Sequence, residues 1–296
     1  MASDDMAVAD LVIDDIPYVS HNGETQLARV YRRPNIEGRN PAIVDVHPGV
    51  WHEGDRIWGH VYDEALARRG FVVVAIDFRQ APHFRHPAAS ADVATAVRWV
   101  RSSSERLGVD LSRIALVGSS SGGHLALLAA CRPNAPEHLG KPLTWGTQTP
   151  VTEDIDASVE CVGALWPPTD PLARYRYALD SLQEDMPAER REHYEVLRRG
   201  TEWYFGDQDT MYAASIARIV AAGEAPHLPP VWVCYPELDI NVPFAIIADL
   251  QEAWAQAGGT FQVSVYPEQK HAFGHWPGGA TDQFIDELSA FITEFV

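Results

Sequence analysis

Short apolar runs alternate along the chain with stretches whose apolar residues repeat at helical spacing. Residues 11–19 and 26–33 are strand-like and flank the turn formers His21, Asn22 and Gly23, which predicts an antiparallel hairpin. Residues 41–47 form a β-rich run that ends at Pro48 and Gly49. Residues 71–77 are apolar almost throughout, the pattern of a strand buried on both faces. Pro87 suits the first turn of a helix, and Val93, Val97 and Val100 give that helix one apolar stripe. Residues 113–118 predict a further buried strand, followed at once by an apolar helix over 124–131. Strands are predicted again over 157–166, 230–236 and 261–266, with helices from Pro243 to near Gly258 and over 282–296. From residue 41 onward strand and helix alternate. That alternation implies a mostly parallel sheet with helices on both faces.

One segment departs from it. Residues 171–229 contain no convincing strand and are rich in Tyr, Arg and Glu. The segment is too long for an ordinary loop and predicts a helical insertion, a cap, over one end of the sheet. Nothing in the sequence marks an internal repeat or a linker, so residues 1–296 are expected to form a single domain.

The turn after the 113–118 strand carries the first candidate chemistry. Gly118-Ser119-Ser120-Ser121-Gly122 fits Gly-x-Ser-x-Gly between a strand and a helix. A strand that turns abruptly into a helix lifts the central hydroxyl out of the sheet. Small neighbours avoid clashes, and the helix N-terminus favours nearby negative charge. A phosphate loop is the competing reading, but the Lys that would follow its last glycine is replaced by His124.

The stretch from Asp110 through Gly118-Ser119-Ser120-Ser121-Gly122-Gly123-His124 to Leu127 resembles the nucleophile elbow of the α/β-hydrolase superfamily. More narrowly, it is similar to that of the hormone-sensitive-lipase-like and feruloyl-esterase-like carboxylesterases. Asp77-Phe78-Arg79-Gln80-Ala81-Pro82 with Pro87 and Asp92, and Trp166-Pro167-Pro168-Thr169-Asp170, resemble further segments of those enzymes. The resemblance runs from about residue 25 to the end and is weakest through 171–229. It implies the α/β-hydrolase fold and a serine carboxylesterase that forms an acyl-enzyme on Ser120 and needs no cofactor.

The resemblance also implies partners for Ser120. His47-Pro48-Gly49-Val50-Trp51 stands where the family has His-Gly-Gly-Gly-Trp. The oxyanion-hole donors would then be the amides of Gly49, Val50 and Ser121. Pro48, which has no N–H, precedes them. The triad order in this fold is Ser, acid, His. Asp239 lies after a buried strand and is the expected acid, with Glu237 as its rival; Tyr235-Pro236 replaces the family's His-Gly before it. His271, in Lys270-His271-Ala272-Phe273, is the expected base, with His275 as its rival. His271 and His275 could also suggest a metal pair, but a third ligand is missing, so no metal is expected. Trp51, Trp166 and Trp276 adjoin these loops and are expected to wall the substrate pocket, which favours esters with apolar or aromatic groups. Tyr175, Tyr177, Tyr194, Trp203, Tyr204, Phe205 and Tyr212 add aromatic surface from the insertion. Two alternatives stay open: an arylformamidase-like amide hydrolase, and a ligand-binding, lyase or isomerase protein on the same fold.

Composition narrows the partners. Twenty-three basic and 41 acidic residues give a net charge of −18. So acidic a chain is a poor candidate for nucleic acid or an anionic membrane surface, and the expected partner is a small-molecule ester. A homodimer is compatible with all of this. The N-terminal residues 1–15 are acidic and free of Lys and Arg, unlike a signal peptide. Three widely spaced cysteines form no disulfide framework. Both features point to a cytoplasmic protein. Residues 225–296, which hold Asp239 and His271, carry nine acids and only Lys270. That bias predicts a preference for neutral or cationic esters.

Overall fold

The apolar runs become one eight-stranded sheet in a computed structural model, which describes residues 11–34, 38–183 and 185–296. The strands are β1 (Val12–His21), β2 (Glu24–Arg32), β3 (Asn40–Val46), β4 (Val72–Ile76), β5 (Val109–Ser119), β6 (Cys161–Leu165), β7 (Val231–Pro236) and β8 (Phe261–Tyr266). Their spatial order is β1-β2-β4-β3-β5-β6-β7-β8. β1, β2 and β4 pair antiparallel; every pair from β4 to the β8 edge is parallel. The predicted hairpin turns at Asn22 and Gly23, both at positive φ. The acidic first ten residues lie outside the described residues, and with them most of the stretch read as unlike a signal peptide.

The helices are α1 (His60–Arg68), α2 (Ala88–Ser102), α3 (Ser104–Leu107), α4 (Ser121–Cys131), α5 (Pro171–Ser181), α6 (Ala188–Phe205), α7 (Gln208–Ala213), α8 (Ile216–Ala221), α9 (Phe244–Gln256) and α10 (Gly279–Phe295). A strand's period of two sorts the sheet residues into two cores. Val44, Val46, Leu116, Val162 and Val233 pack with α2, α4 and α9 on one face. Ile43, Val73, Val117, Leu165 and Cys234 pack with α1 and α10 on the other. This two-sided burial is why the inner strands read as continuous apolar runs rather than alternating ones. The three cysteines are buried and unpaired. Between β6 and β7 the described chain forms only helices, α5 to α8.

Two features go beyond the sequence pattern. The single apolar stripe of α2 underestimates its burial, because every residue from Ala89 to Val100 is buried. The cover comes from the connection between α4 and β6, whose Trp145 stacks on Trp99 at 5.3 Å between ring centroids. Arg98 of α2 ties that cover down. It donates to the carbonyls of Ile155 (2.8 Å), His138 (2.6 Å) and Pro133 (3.0 Å) and to the Asn134 side chain (3.0 Å). A second buried ion, Asp92, binds Arg79 through Nε and Nη2 and so joins the 77–82 motif to α2.

The other feature is acidic. The period of two turns Asp45 of β3 toward α1, where Asp63 is also fully buried. A Cβ added at Gly59 would lie 2.8 Å from an oxygen of each carboxylate and 2.7 Å from the Tyr62 hydroxyl, so the three groups share one small space. Burial pushes the Asp45 carboxyl up to about 7. Burial, and then the Asp45 charge, pushes Asp63 well above the usual range. Neither oxygen of Asp63 has a hydrogen-bond partner.

Two predictions follow from these groups. Arg98→Met removes charge-assisted bonds to four acceptors and should cost on the order of 3 kcal/mol, lowering Tm by about 5 °C in a thermal melt. The raised carboxyls hold protons in the folded state that the unfolded chain releases above its ordinary carboxyl range. Stability should therefore fall as pH rises from about 4 through 7. Asp63→Asn, which carries no such charge, should have the higher Tm at about pH 8, and its advantage should shrink toward about pH 4.

Candidate active site

The site begins with the abrupt passage from β5 to α4. Ser120 sits between them at φ +50° and ψ −122°, a conformation costly for any residue with a Cβ. The surrounding contacts hold it there. The Ser120 amide donates to the Leu165 carbonyl of β6 at 2.8 Å. A Cβ at Gly118 would come within 2.4 Å of the Gly122 carbonyl oxygen, and one at Gly122 within 2.0 Å of the Val46 oxygen. Both flanking glycines are therefore required by space. The close approach of Gly122 to Val46 and His47 also sets the start of α4 against the end of β3, where the second loop begins.

That loop, residues 47–51, takes a rare backbone path. Gly49, Val50 and Trp51 have φ of +117°, +51° and +62°. A Cβ at Gly49 would lie 1.9 Å from the Glu53 carbonyl oxygen, so no other residue fits. The Gly49 carbonyl accepts from the amides of His52 and Glu53, which turns the loop back on itself. Among the described residues, the amides of Gly49, Val50 and Ser121 donate to no protein acceptor. The missing N–H of Pro48 thus removes none of these three donors. His47 is buried, stacks on Phe78 at 4.1 Å and donates Nδ1–H to the Pro48 carbonyl. Burial pushes its imidazole down to about 4, so it is neutral at neutral pH.

Asp239 and His271 come from the loops after β7 and β8. Asp239 Oδ1 accepts from the amides of Asn241 (2.7 Å) and Val242 (3.1 Å), a self-contained turn that fixes the carboxylate. Tyr235, which departs from the family pattern, donates its hydroxyl to the Val242 carbonyl and closes the same turn from below. The Leu238 amide donates to the Gln269 carbonyl and links this loop to the histidine loop. His271 Nδ1 lies 2.8 Å from Asp239 Oδ2, and Nε2 lies 3.0 Å from Ser120 Oγ. With the proton on Nδ1 the chain runs Asp239–His271–Ser120, and Nε2 accepts from the hydroxyl. The rivals lie elsewhere. Glu237 is exposed and accepts from the Glu268 amide. His275 is buried, bonds the Trp58 carbonyl and packs on Tyr62.

Two of the three tryptophans are more buried than a pocket wall would be. Trp51 is fully buried, stacked on Tyr204 and edge-on to Phe205 of α6, because the helical insertion closes over it. Trp166 is fully buried as well, between His271, Phe273 and Phe284 of α10. Both rings back the site rather than offer surface to a ligand. Trp276 is 69% exposed, with its nearest ring contact on His275. Of the aromatic residues in the insertion, Tyr177 reaches the Asp239 loop and donates to the Ile240 carbonyl, while Trp203 and Tyr212 face outward.

Sequence reasoning missed two polar residues of the insertion, Arg174 of α5 and His193 of α6. Arg174 is 2% exposed, with its guanidinium 5.0 Å from the centre of the Trp51 ring. Their signal was weak: single basic residues in an Arg-rich helical segment look like a solvated face.

Comparison with known proteins agrees with this architecture. The BD-FAE family model matches residues 29–249. Ethyl acetate hydrolase of Pseudomonas putida is 28% identical over 275 residues, 88% of this chain and 75% of that protein. Esterase LipQ of Mycobacterium tuberculosis is 27% identical over 263 residues, 88% of this chain and 56% of that protein. Esterase LipC of the same organism is 36% identical over 143 residues, 48% of this chain and 33% of that protein. The chain thus spans a third to about half the length of those last two relatives. Among solved structures, the native thermophilic esterase 2 of Thermogutta terrifontis superposes with a TM-score of 0.70 at 23% identity, covering 98% of this chain and 93% of that one. An inhibited esterase B of Lactobacillus rhamnosis superposes at 0.73 with 19% identity, covering 99% and 89%. The chain has the α/β-hydrolase fold and belongs to the BD-FAE family.

Proposed function

We propose that the protein is a serine carboxylesterase. One observation carries the reading: the continuous hydrogen-bonded chain from Asp239 through His271 to Ser120, beside three backbone amides with no protein acceptor. The names of the relatives, esterases and an ethyl acetate hydrolase, point the same way.

In this reading Asp239 holds the His271 tautomer whose Nε2 lone pair faces Ser120. His271 takes the Ser120 proton as Oγ attacks the ester carbonyl. The carbonyl oxygen gains charge in the space served by the Gly49, Val50 and Ser121 amides. Such donors act without reorganising, because the surrounding loops already fix them. His271 then gives its proton to the leaving alkoxide, and the acyl group remains on Ser120. Water, activated by the same imidazole, attacks the acyl-enzyme and restores the serine. Every proton movement uses the chain's own groups. Helices α5 to α8 serve as a cap. The burial of Trp51 and Trp166 stiffens the site. Among the described residues no helix is long and apolar enough to cross a membrane. The three buried thiols suit a reducing, cytoplasmic setting.

Ser120→Ala should lower kcat/KM on p-nitrophenyl acetate by about 10³-fold or more. Asp239→Asn should lower it by about 10³- to 10⁴-fold, through the wrong histidine tautomer. A fluorophosphonate should label the native protein and leave Ser120→Ala unlabelled. A folded native protein that neither labels nor hydrolyses the ester would sink the reading.

A further inference from the structure

The helical insertion buries a cation without an ion-pair partner against Trp51 of the candidate oxyanion loop. Arg174 is almost fully buried, yet among the described residues no carboxylate lies within ion-pair distance of it. Its Nη2 donates to Thr201 Oγ1 (2.5 Å) and more distantly to the Leu197 carbonyl (3.4 Å). Nε is buried without a partner, and no bond is made by Nη1. Three of the five guanidinium N–H groups are therefore unused. A buried guanidinium normally keeps its charge by pairing. The charge of Asp239 counters part of the effect of burial on Arg174, and that carboxylate is already engaged by His271, Asn241 and Val242. The face of the Trp51 ring offers further compensation.

A second unpartnered nitrogen lies on α6, the helix whose Thr201 holds Arg174. His193 Nε2 is buried without a hydrogen-bond partner. Burial and the charges of His271 and Arg174 hold its imidazole below the ordinary value, against Asp239 and the Asn241 side chain. On α6, His193, Leu197, Gly200, Thr201 and Tyr204 follow a helical spacing, and their face packs toward the site. Gly200 touches Val50, Thr201 holds Arg174, and Tyr204 stacks on Trp51. Arg174 thus lies against Trp51 of the candidate oxyanion loop, and His193 lies one and two helical turns from the α6 residues that hold Arg174, Leu197 and Thr201.

We infer that Arg174, assisted by His193, binds a carboxylate on the substrate, and that the protein acts on esters bearing a free carboxylate near the scissile carbonyl. This rests on the esterase reading and narrows it. It reverses the preference for neutral or cationic esters predicted from net charge. The net charge acts through solvent and is screened within about 8 Å at physiological salt, whereas a buried guanidinium acts at contact. A carboxylate would satisfy the free N–H groups and neutralise the ion.

The test compares kcat/KM on p-nitrophenyl hemisuccinate, which is anionic, with that on p-nitrophenyl butyrate, which is neutral and of similar length. The native protein should favour the anionic ester. Arg174→Met should lower the anionic-to-neutral ratio tenfold or more, mainly through KM. Arg174→Lys should restore part of the ratio, and His193→Gln should lower it less than Arg174→Met does. A ratio that moves less than twofold in a folded Arg174→Met protein would overturn the inference while leaving the esterase reading intact. Should Arg174→Met not fold, the native protein decides. Competitive inhibition of butyrate ester hydrolysis by glutarate, but not by glutaramide, supports the site, and equal inhibition by both overturns it. Calorimetric titration with glutarate needs no turnover. Binding there in a protein that neither labels nor hydrolyses would keep the anion site and discard the esterase. An absence of glutarate binding would overturn the anion site.

Discussion

The structure depends on one steric constraint, the close passage of α4 beneath the end of β3. With a Cβ at neither Gly118 nor Gly122, the helix can start directly under Val46 and His47. Any wider spacing would separate Ser120 from the Gly49 loop. The sheet order explains why these two loops diverge. From β3 the chain moves to one side, to β4, and β5 then returns on the other side, so their exits leave in opposite directions. The crevice at such a reversal is where α/β sheets bind ligands. Ser120 and the Gly49–Val50 turn stand on its two banks.

Local strain is concentrated on those banks. Ser120, Val50, Trp51 and Trp166 all hold positive φ without being glycine. Each costs on the order of 1–3 kcal/mol and persists only where the surroundings dictate it. The surroundings here are well determined. The Leu165 carbonyl holds the Ser120 amide, Gly200 of α6 presses on Val50, Tyr204 and Phe205 cover Trp51, and Phe284 covers Trp166. Contacts from α6 and α10 thus hold these strained loop residues in place.

The electrostatics are layered. Away from the triad, Asp45 and Asp63 share a small buried space and favour their protonated forms. At the site, Asp239 is ringed by donors and keeps an ordered partner in His271. Above it, Arg174 brings a cation with donors to spare. The overall charge of −18 describes none of these layers, because burial and contact, rather than the sum, decide what a ligand meets.

Much of this was legible in the chain. Period and apolar runs located the strands to within a few residues. The Gly-x-Ser-x-Gly turn in its strand–helix context marked Ser120, and the family resemblance, with its order of Ser, acid and His, pointed to Asp239 and His271. The strand periods and the serine turn are local patterns, and local sterics and hydrogen bonding dictate them. Other features depended on which segments meet. The α4–β6 connection covers α2 because Arg98 finds carbonyls far along the chain. Trp51 and Trp166 are supports rather than pocket walls because helices distant in sequence close over them. Arg174 and His193 resemble ordinary surface residues until packing removes their water and leaves their N–H groups and ring nitrogen unsatisfied. The sequence alone determined the alternation of elements and the residue types at the turns. The tertiary structure alone decided burial, because desolvation belongs to the assembled surroundings and not to any one segment.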